Sequence, residues 1–158
     1  MTPKKVELDR TDRELLRALA ADARASGASL AQSVGVAEST VSLRLRRLRQ
    51  TGVIQGYRPR LDPAALGASL QALVSVRLAN HDVRHVESFR REAPGWPGVL
   101  SLFHMGGADD YLLHVLARTA DDLRTFVVQH VVAHPAVAHT ETNLIFEHVD
   151  GTGWQDLV

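Results

Sequence analysis

The densest chemistry in this 158-residue chain lies between Glu38 and Gln50. Arg44, Arg46, Arg47 and Arg49 fall within six positions, and Ser39, Thr40, Ser42 and Leu43 come just before them. Guanidinium groups pair with phosphate through two parallel hydrogen bonds. Serine and threonine hydroxyls donate to or accept from several bases, and a leucine can press on a thymine methyl. The set suits double-stranded DNA. Ser39, Thr40, Ser42 and Leu43 would meet base edges. The arginines would meet phosphate, which supplies affinity and little sequence information. A solvated arginine face on an ordinary amphipathic helix reads the same way, so the surrounding elements have to decide.

Metal and catalytic chemistry have weaker footing. His81 and His85 stand at i, i+4, and His130, His134 and His139 are close in sequence. Two histidines one turn apart can hold zinc. Pro135 interrupts the second group, however, and no HExxH motif is present. Solvated or pH-sensitive histidines are expected, with no metal site. The absence of cysteine excludes a thiolate site, a disulfide scaffold and a cysteine nucleophile. Neither a GxxxxGK[ST] loop nor a serine or lysine nucleophile motif occurs. Asp110 and His114 form the nearest acid–base pair, but four strand residues hold them far apart. No enzyme is expected.

The arginine-rich segment follows two other helical patterns. Leu8, Leu15, Leu16 and Leu19 recur at helical spacing, with Asp9, Asp12 and Glu14 in the first turn, where carboxylates suit the helix dipole. Ser26 can cap a second helix, Gly27 to Val34, that buries Leu30, Ala31 and Val34, and Gly35 ends it. A third helix runs from about Glu38 to Gln50 and buries Val41, Leu45 and Leu48. Helix, tight glycine turn, then a helix with a polar and basic outer face is the helix-turn-helix pattern.

The net charge of zero conceals a division. Residues 1–60 hold 12 Lys+Arg against 6 Asp+Glu; residues 61–158 hold 6 against 12, with all eight histidines. The first part is attracted to phosphate and the second repelled by it. Residues 1–52 are expected to be the DNA-binding domain. Residues 53–69 form a linker, with strand character at Val53–Arg58 and helix barred by Pro59 and Pro63. Residues 70–150 alternate strand and helix, and 151–158 form a tail. The strands are Leu70 to Leu78, Val99 to His104, Asp110 to Ala117 and Val137 to Val149. The helices are Val83 to Glu92 and a second that runs from the capping box at Thr119–Asp122 to about Val132. Gly106-Gly107-Ala108-Asp109 between the middle strands signals a hairpin. The order βαββαβ gives an α+β fold of the ferredoxin-like kind. No apolar run reaches the ~20 residues of a membrane helix, and the N-terminus lacks a signal-peptide core. A cytoplasmic protein is expected.

Several strings resemble the Lrp/AsnC (feast/famine) transcription regulators: Leu8-Asp9-Arg10-Thr11-Asp12, Ser33-Val34-Gly35-Val36, Ser39-Thr40-Val41, Arg44-Leu45-Arg46-Arg47-Leu48, Gly52-Val53-Ile54-Gln55-Gly56-Tyr57 and Leu61-Asp62-Pro63. Asp110-Tyr111-Leu112-Leu113 and Thr140-Glu141-Thr142 continue the likeness, which covers residues 7–149. The resemblance implies a C-terminal domain that dimerises through its sheet, dimers that assemble into octamers, and an amino acid bound between dimers. It also implies an effector site at Gly106, Gly107, Ala108, Asp109, Asp110 and Tyr111, with His104 beside the loop. Thr140 and Thr142 would approach from the neighbouring strand. Glycines let backbone N–H groups converge on a carboxylate, and Asp109 or Asp110 can pair with an ammonium. Read without the family, the glycines make a hairpin turn and Tyr111 is core. The chain departs from the family at Ala37, where a serine often caps the recognition helix; Glu38 or Ser39 would take over. Ala108 replaces a frequent polar residue. The reading is a sequence-specific DNA-binding regulator, with no cofactor, that responds to a small effector of the amino-acid class. The alternative is an architectural DNA-wrapping protein that senses nothing.

Overall fold

The computed structural model describes residues 6–79, 83–151 and 153. The chain divides into two compact units, Leu61–Val149 and the remainder, to which Asp150 returns. There Asp150 ion-pairs with Arg60.

The first unit contains α1 (Arg10–Ala21), α2 (Gly27–Val34) and α3 (Glu38–Gln50). Asp9 caps α1: its side chain accepts the Asp12 N–H, and the Asp12 carboxylate accepts the Asp9 N–H in return. Ser26 caps α2 through the Ser29 N–H, and Gly35 closes it with φ 73°, a left-handed conformation that costs glycine little. The core is small. Leu15, Leu19, Leu30 and Val41 form it, edged by Ala18, Val34, Leu45 and Ile54. Each fully buried aliphatic side chain contributes ~1.5–3 kcal/mol.

The second unit contains β1 (Leu70–Leu78), α4 (Val83–Glu92), β2 (Val99–His104), β3 (Tyr111–Ala117), α5 (Ala120–Phe126) and β4 (Val137–Ile145). The strands are antiparallel in the order β2-β3-β1-β4. This is the expected ferredoxin-like arrangement. Alternate residues of β1 and β3 (Ala72, Val74, Val76, Leu78; Tyr111, Leu113, Val115, Ala117) face the helices and build the core with Phe89, Ala93, Leu123, Phe126 and Val131. Phe89 is its hub, with its ring against Trp96, Tyr111 and His134. The other face of the sheet presents Leu73, Leu112, His114 and Phe103, and Phe103 is 48% exposed.

Some boundaries differ from the sequence reading. Val53–Arg58 is not a strand; within one chain it has no partner strand, and Ile54 instead caps α3 through Leu48 O at 3.0 Å. The helix expected to Val132 changes after Phe126 to a π-helical turn, with Ala133 N–H bonded to Val128 O. The last strand stops at Ile145, where its pairing with β1 runs out at Gln71. Of the expected 151–158 tail, only Gly151 and Gly153 are among the described residues.

Candidate functional site

The outer face of α3 is built by what its inner face buries. Val41 and Leu48 are fully buried, which turns Ser39, Ser42, Leu43 and Arg46 outward. Leu43 is 67% exposed, a large apolar side chain in water. Thr40 is half-buried. The start of α3 has no side-chain cap: Ala37 supplies none, and neither Glu38 nor Ser39 takes its place.

Arg44 and Arg47 are engaged inside the unit. They do not belong to a free phosphate-facing row. Arg44 Nη1 donates to Asp9 Oδ2 at 2.6 Å and to Asp12 Oδ1 at 3.0 Å, and Arg47 Nη2 pairs with Asp12 Oδ2. The Asp12 side chain is fully buried. The Asp12 backbone N–H, and then the Arg44 hydrogen bond, hold the Asp9 carboxyl below its usual range; Asp9 in turn raises Arg44. Arg49 bonds its Nε to Leu45 O. Arg46 is thus the exposed arginine of α3 with no intramolecular bond among the described residues. The first-turn carboxylates were legible as partners of the helix dipole. That they also receive two guanidiniums from 32 and 35 residues away was not.

In the second unit, the loop between β2 and β3 is pinned to β1. Arg77 Nε donates to Ala108 O at 3.0 Å, with Arg77 Nη2 3.7 Å from Asp109 Oδ1. Asp110 N–H donates to Val76 O at 2.9 Å, and Leu78 N–H donates to Asp110 Oδ2 at 2.8 Å. Asp110 is therefore partly spent on the loop itself. Asp109 lies against Arg77, a residue that the sequence reading missed. Its signal was available: a lone charge inside the apolar run Val74-Ser75-Val76-Arg77-Leu78. Gly106, Gly107 and Ala108 are exposed, and Gly107 has φ 151°, a conformation that favours glycine.

His104 and Tyr111 pair across β2 and β3, with ring centroids 4.8 Å apart. Tyr111 is also a core residue, 1% exposed, packed on Phe89. Its hydroxyl is the one buried side-chain polar atom without a partner among the described residues. Thr140 and Thr142 lie on β4, across β1 from β3. β4 pairs with β1, opposite Val76 and Val74, so a whole strand separates them from Tyr111, about 9–10 Å at two strand spacings. The Thr140 hydroxyl donates to Ser75 O at 2.8 Å.

The catalytic candidates are separately engaged: His114 Nε2 meets Gln71 Oε1 at 2.9 Å, away from Asp110. Among the described residues no three His, Asp or Glu side chains group to hold a metal ion, and His81 lies outside those residues. The buried His134 ring meets the half-buried Ser88 hydroxyl and the exposed Glu92 carboxylate. Its Nδ1 accepts the Ala136 N–H, so the neutral ring carries its proton on Nε2 and cannot take one from the Ser88 hydroxyl 3.2 Å away. Burial lowers the His134 pKa; Glu92 opposes this and His85 adds to it. The unfolded chain protonates near 6.5, so stability is lost as pH falls from there toward the lower folded value. His134→Gln is expected to lose less melting temperature than the parent on going from pH about 7.5 to about 5.5, read by thermal denaturation.

A helix-turn-helix unit followed in the chain by a ferredoxin-like unit with a pinned glycine loop defines a class: a transcriptional regulator with a DNA-binding and a ligand-binding domain. Residues 8–55 match winged helix-turn-helix DNA-binding domains, and residues 71–155 match the Lrp/AsnC ligand-binding domain. The HTH-type transcriptional regulator AldR of Mycolicibacterium smegmatis is 45% identical over 92% of this chain and 85% of its own length. The leucine-responsive regulatory protein of Rhizobium meliloti is 32% identical over 92% of this chain and 93% of its own. A Neisseria meningitidis transcriptional regulator solved with L-methionine superposes with a TM-score of 0.85 at 27% identity, covering 92% of this chain and 94% of that one. The chain belongs to the Lrp/AsnC family. Among the described residues no helix is long and apolar enough to cross a membrane.

Proposed function

We propose that the protein binds a pseudo-palindromic DNA site sequence-specifically, as a dimer or an assembly of dimers, and that a small effector of the amino-acid class changes this binding or the assembly. The observation that carries the effector reading is the β2–β3 loop. Arg77 and Asp110 hold its frame to β1 while Gly106 and Gly107 stay exposed, which offers backbone N–H groups to a carboxylate. The relative solved with L-methionine supports the same class of ligand. The apolar side chains Leu73, Phe103 and Leu112 on the uncovered sheet face support a second copy as partner. The effector acts only through different affinities for two arrangements of the assembly.

A thermal-shift screen against the twenty amino acids tests this. A ligand at a hundred times its dissociation constant stabilises by about 2.7 kcal/mol, a shift of several degrees. A single hit names the effector. No hit from a protein that still binds DNA would leave the architectural, DNA-wrapping function in its place.

Base reading and phosphate contact separate by mutation. Arg46→Ala should weaken binding equally to a selected duplex and to a random one, and lower the slope of log K against log salt by about 0.9. Ser39→Ala should cost about 1 kcal/mol on the selected duplex and little on the random one. Equal losses on both duplexes for both variants would sink this division.

A further inference from the structure

We propose that Asp12 is a specificity-positioning residue of the DNA reader: it sets the roll of α3 about its own axis and withholds Arg44 and Arg47 from phosphate.

The geometry is a two-point tether. Arg44 and Arg47 are i, i+3 neighbours on α3, and both reach the buried Asp12 carboxylate in the first turn of α1. Asp12 is itself fixed, because its Oδ2 accepts the Asp9 N–H at 3.2 Å and its N–H donates to Asp9 Oδ1 at 2.8 Å. Asp9 Oδ2 holds Arg44 a second time. Two carboxylates balance two guanidiniums, so half of the four arginines at 44–49 are neutralised inside the unit.

The core alone does not supply this constraint. Val41 and Leu48 bury an apolar stripe, but apolar contact is non-directional. Charge-assisted hydrogen bonds are directional. Side-chain tips lie roughly 5–6 Å from the helix axis, so a roll of about 15° moves Ser39 and Ser42 by about 1.4 Å. A base-edge hydrogen bond does not survive that displacement, whereas a long flexible arginine still finds phosphate. Loss of the tether therefore damages base reading and spares, or strengthens, binding to arbitrary sequence.

The choice of variant follows from burial. Removing the arginines would strand a buried charge, which is strongly destabilising. Removing the charge from Asp12 releases Arg47, already 47% exposed, into water and leaves Arg44, 27% exposed, on Asp9 alone. Asn at this position keeps an oxygen for the Asp9 N–H, so the cap of α1 survives.

The experiment measures full-length protein on two duplexes of equal length, one enriched from a random pool by the parent protein and one random, over a range of salt. Asp12→Asn should raise affinity for the random duplex about three- to tenfold and steepen its salt slope by about 0.9 for each arginine released. The ratio of selected to random affinity should fall at least fivefold. Adding Arg44→Gln and Arg47→Gln to Asp12→Asn should return random binding to the parent level and leave the ratio low. Arg44→Gln alone should leave the salt slope unchanged, unlike Arg46→Ala. An unchanged slope and ratio in Asp12→Asn overturns the proposal, as does equal weakening on both duplexes, the signature of damaged folding alone. A slope lowered by about one in Arg44→Gln also overturns it, since that arginine would then be a phosphate contact. The inference rests on α3 as the DNA reader; failure of that reading would show as parent protein with no salt-dependent DNA binding at all.

Discussion

Leu112→Asp is expected to turn the proposed dimer into monomers and to cost roughly 10²–10⁴ in affinity for a two-half-site duplex, while both units stay folded. Leu112 is half-buried on β3, on the sheet face away from α4 and α5, and pairs across the ladder with Phe103. Its side chain lies outside the core of Tyr111, Leu113 and Val115, so a carboxylate there is solvated and the unit keeps its packing. Across a two-fold interface the same change places two like charges in an apolar contact, where each loses water without gaining a partner. The effect on DNA is an effect of linkage. Two readers on one body bind the second half-site at millimolar effective concentration, and a monomer forfeits that gain. Sedimentation and a DNA titration on the same sample check it. A variant that remains dimeric and binds the duplex as the parent does would remove the sheet face as the dimer contact.

The second large effect is expected from Gly107→Val: a complete loss of the thermal shift proposed for the effector, about 2.7 kcal/mol at a hundred times its dissociation constant, with basal DNA binding unchanged. A Cβ on Gly107 meets nothing within 4 Å, so the substitution fails for a reason other than crowding. The backbone there has φ 151°, and a β-branched residue in such a conformation costs of order 1–3 kcal/mol. The loop pays that cost by changing course, which moves the amides of Gly106 and Gly107 off any ligand they hold. Its anchors, Arg77 on Ala108 O and the Asp110 carboxylate under Leu78 N–H, keep the ends in place, so the change stays local. Gly106→Ala is the control. Gly106 is not among the positive-φ glycines and also has open space, so alanine should keep the response. A normal thermal shift in Gly107→Val would move the effector elsewhere.

Much of this molecule was determined by local pattern. Apolar alternation placed β1 at Leu70–Leu78, β2 at Val99–His104 and the start of β4 at Val137; helical spacing placed α2, α3 and α4 at the bounds found. Those signals are legible because each residue's face follows from the period of its own element. The glycine at 35 and the capping residues Ser26 and Thr119 are equally local, since each acts within four residues of itself. Ser39, Ser42, Leu43 and Arg46 are outward for the same reason: Val41 and Leu48 must go in.

Only the tertiary structure decided which charged groups are free. Arg44, Arg46 and Arg47 are alike in sequence, but helix packing brings Asp9 and Asp12 to two of them and leaves the third in water. Strand order, too, cannot be read from strand identity. β4 lies next to β1 rather than β3, which sets Thr140 and Thr142 two strands from Tyr111, and β1 beside β3 puts Arg77 and Leu78 against the loop. Tyr111 is core because its register on β3 faces Phe89. Each of these depends on contacts between residues more than twenty positions apart, or on which edge a strand takes. Periodicity reports how a segment meets its surroundings, and the identity of those surroundings is settled only when the elements pack.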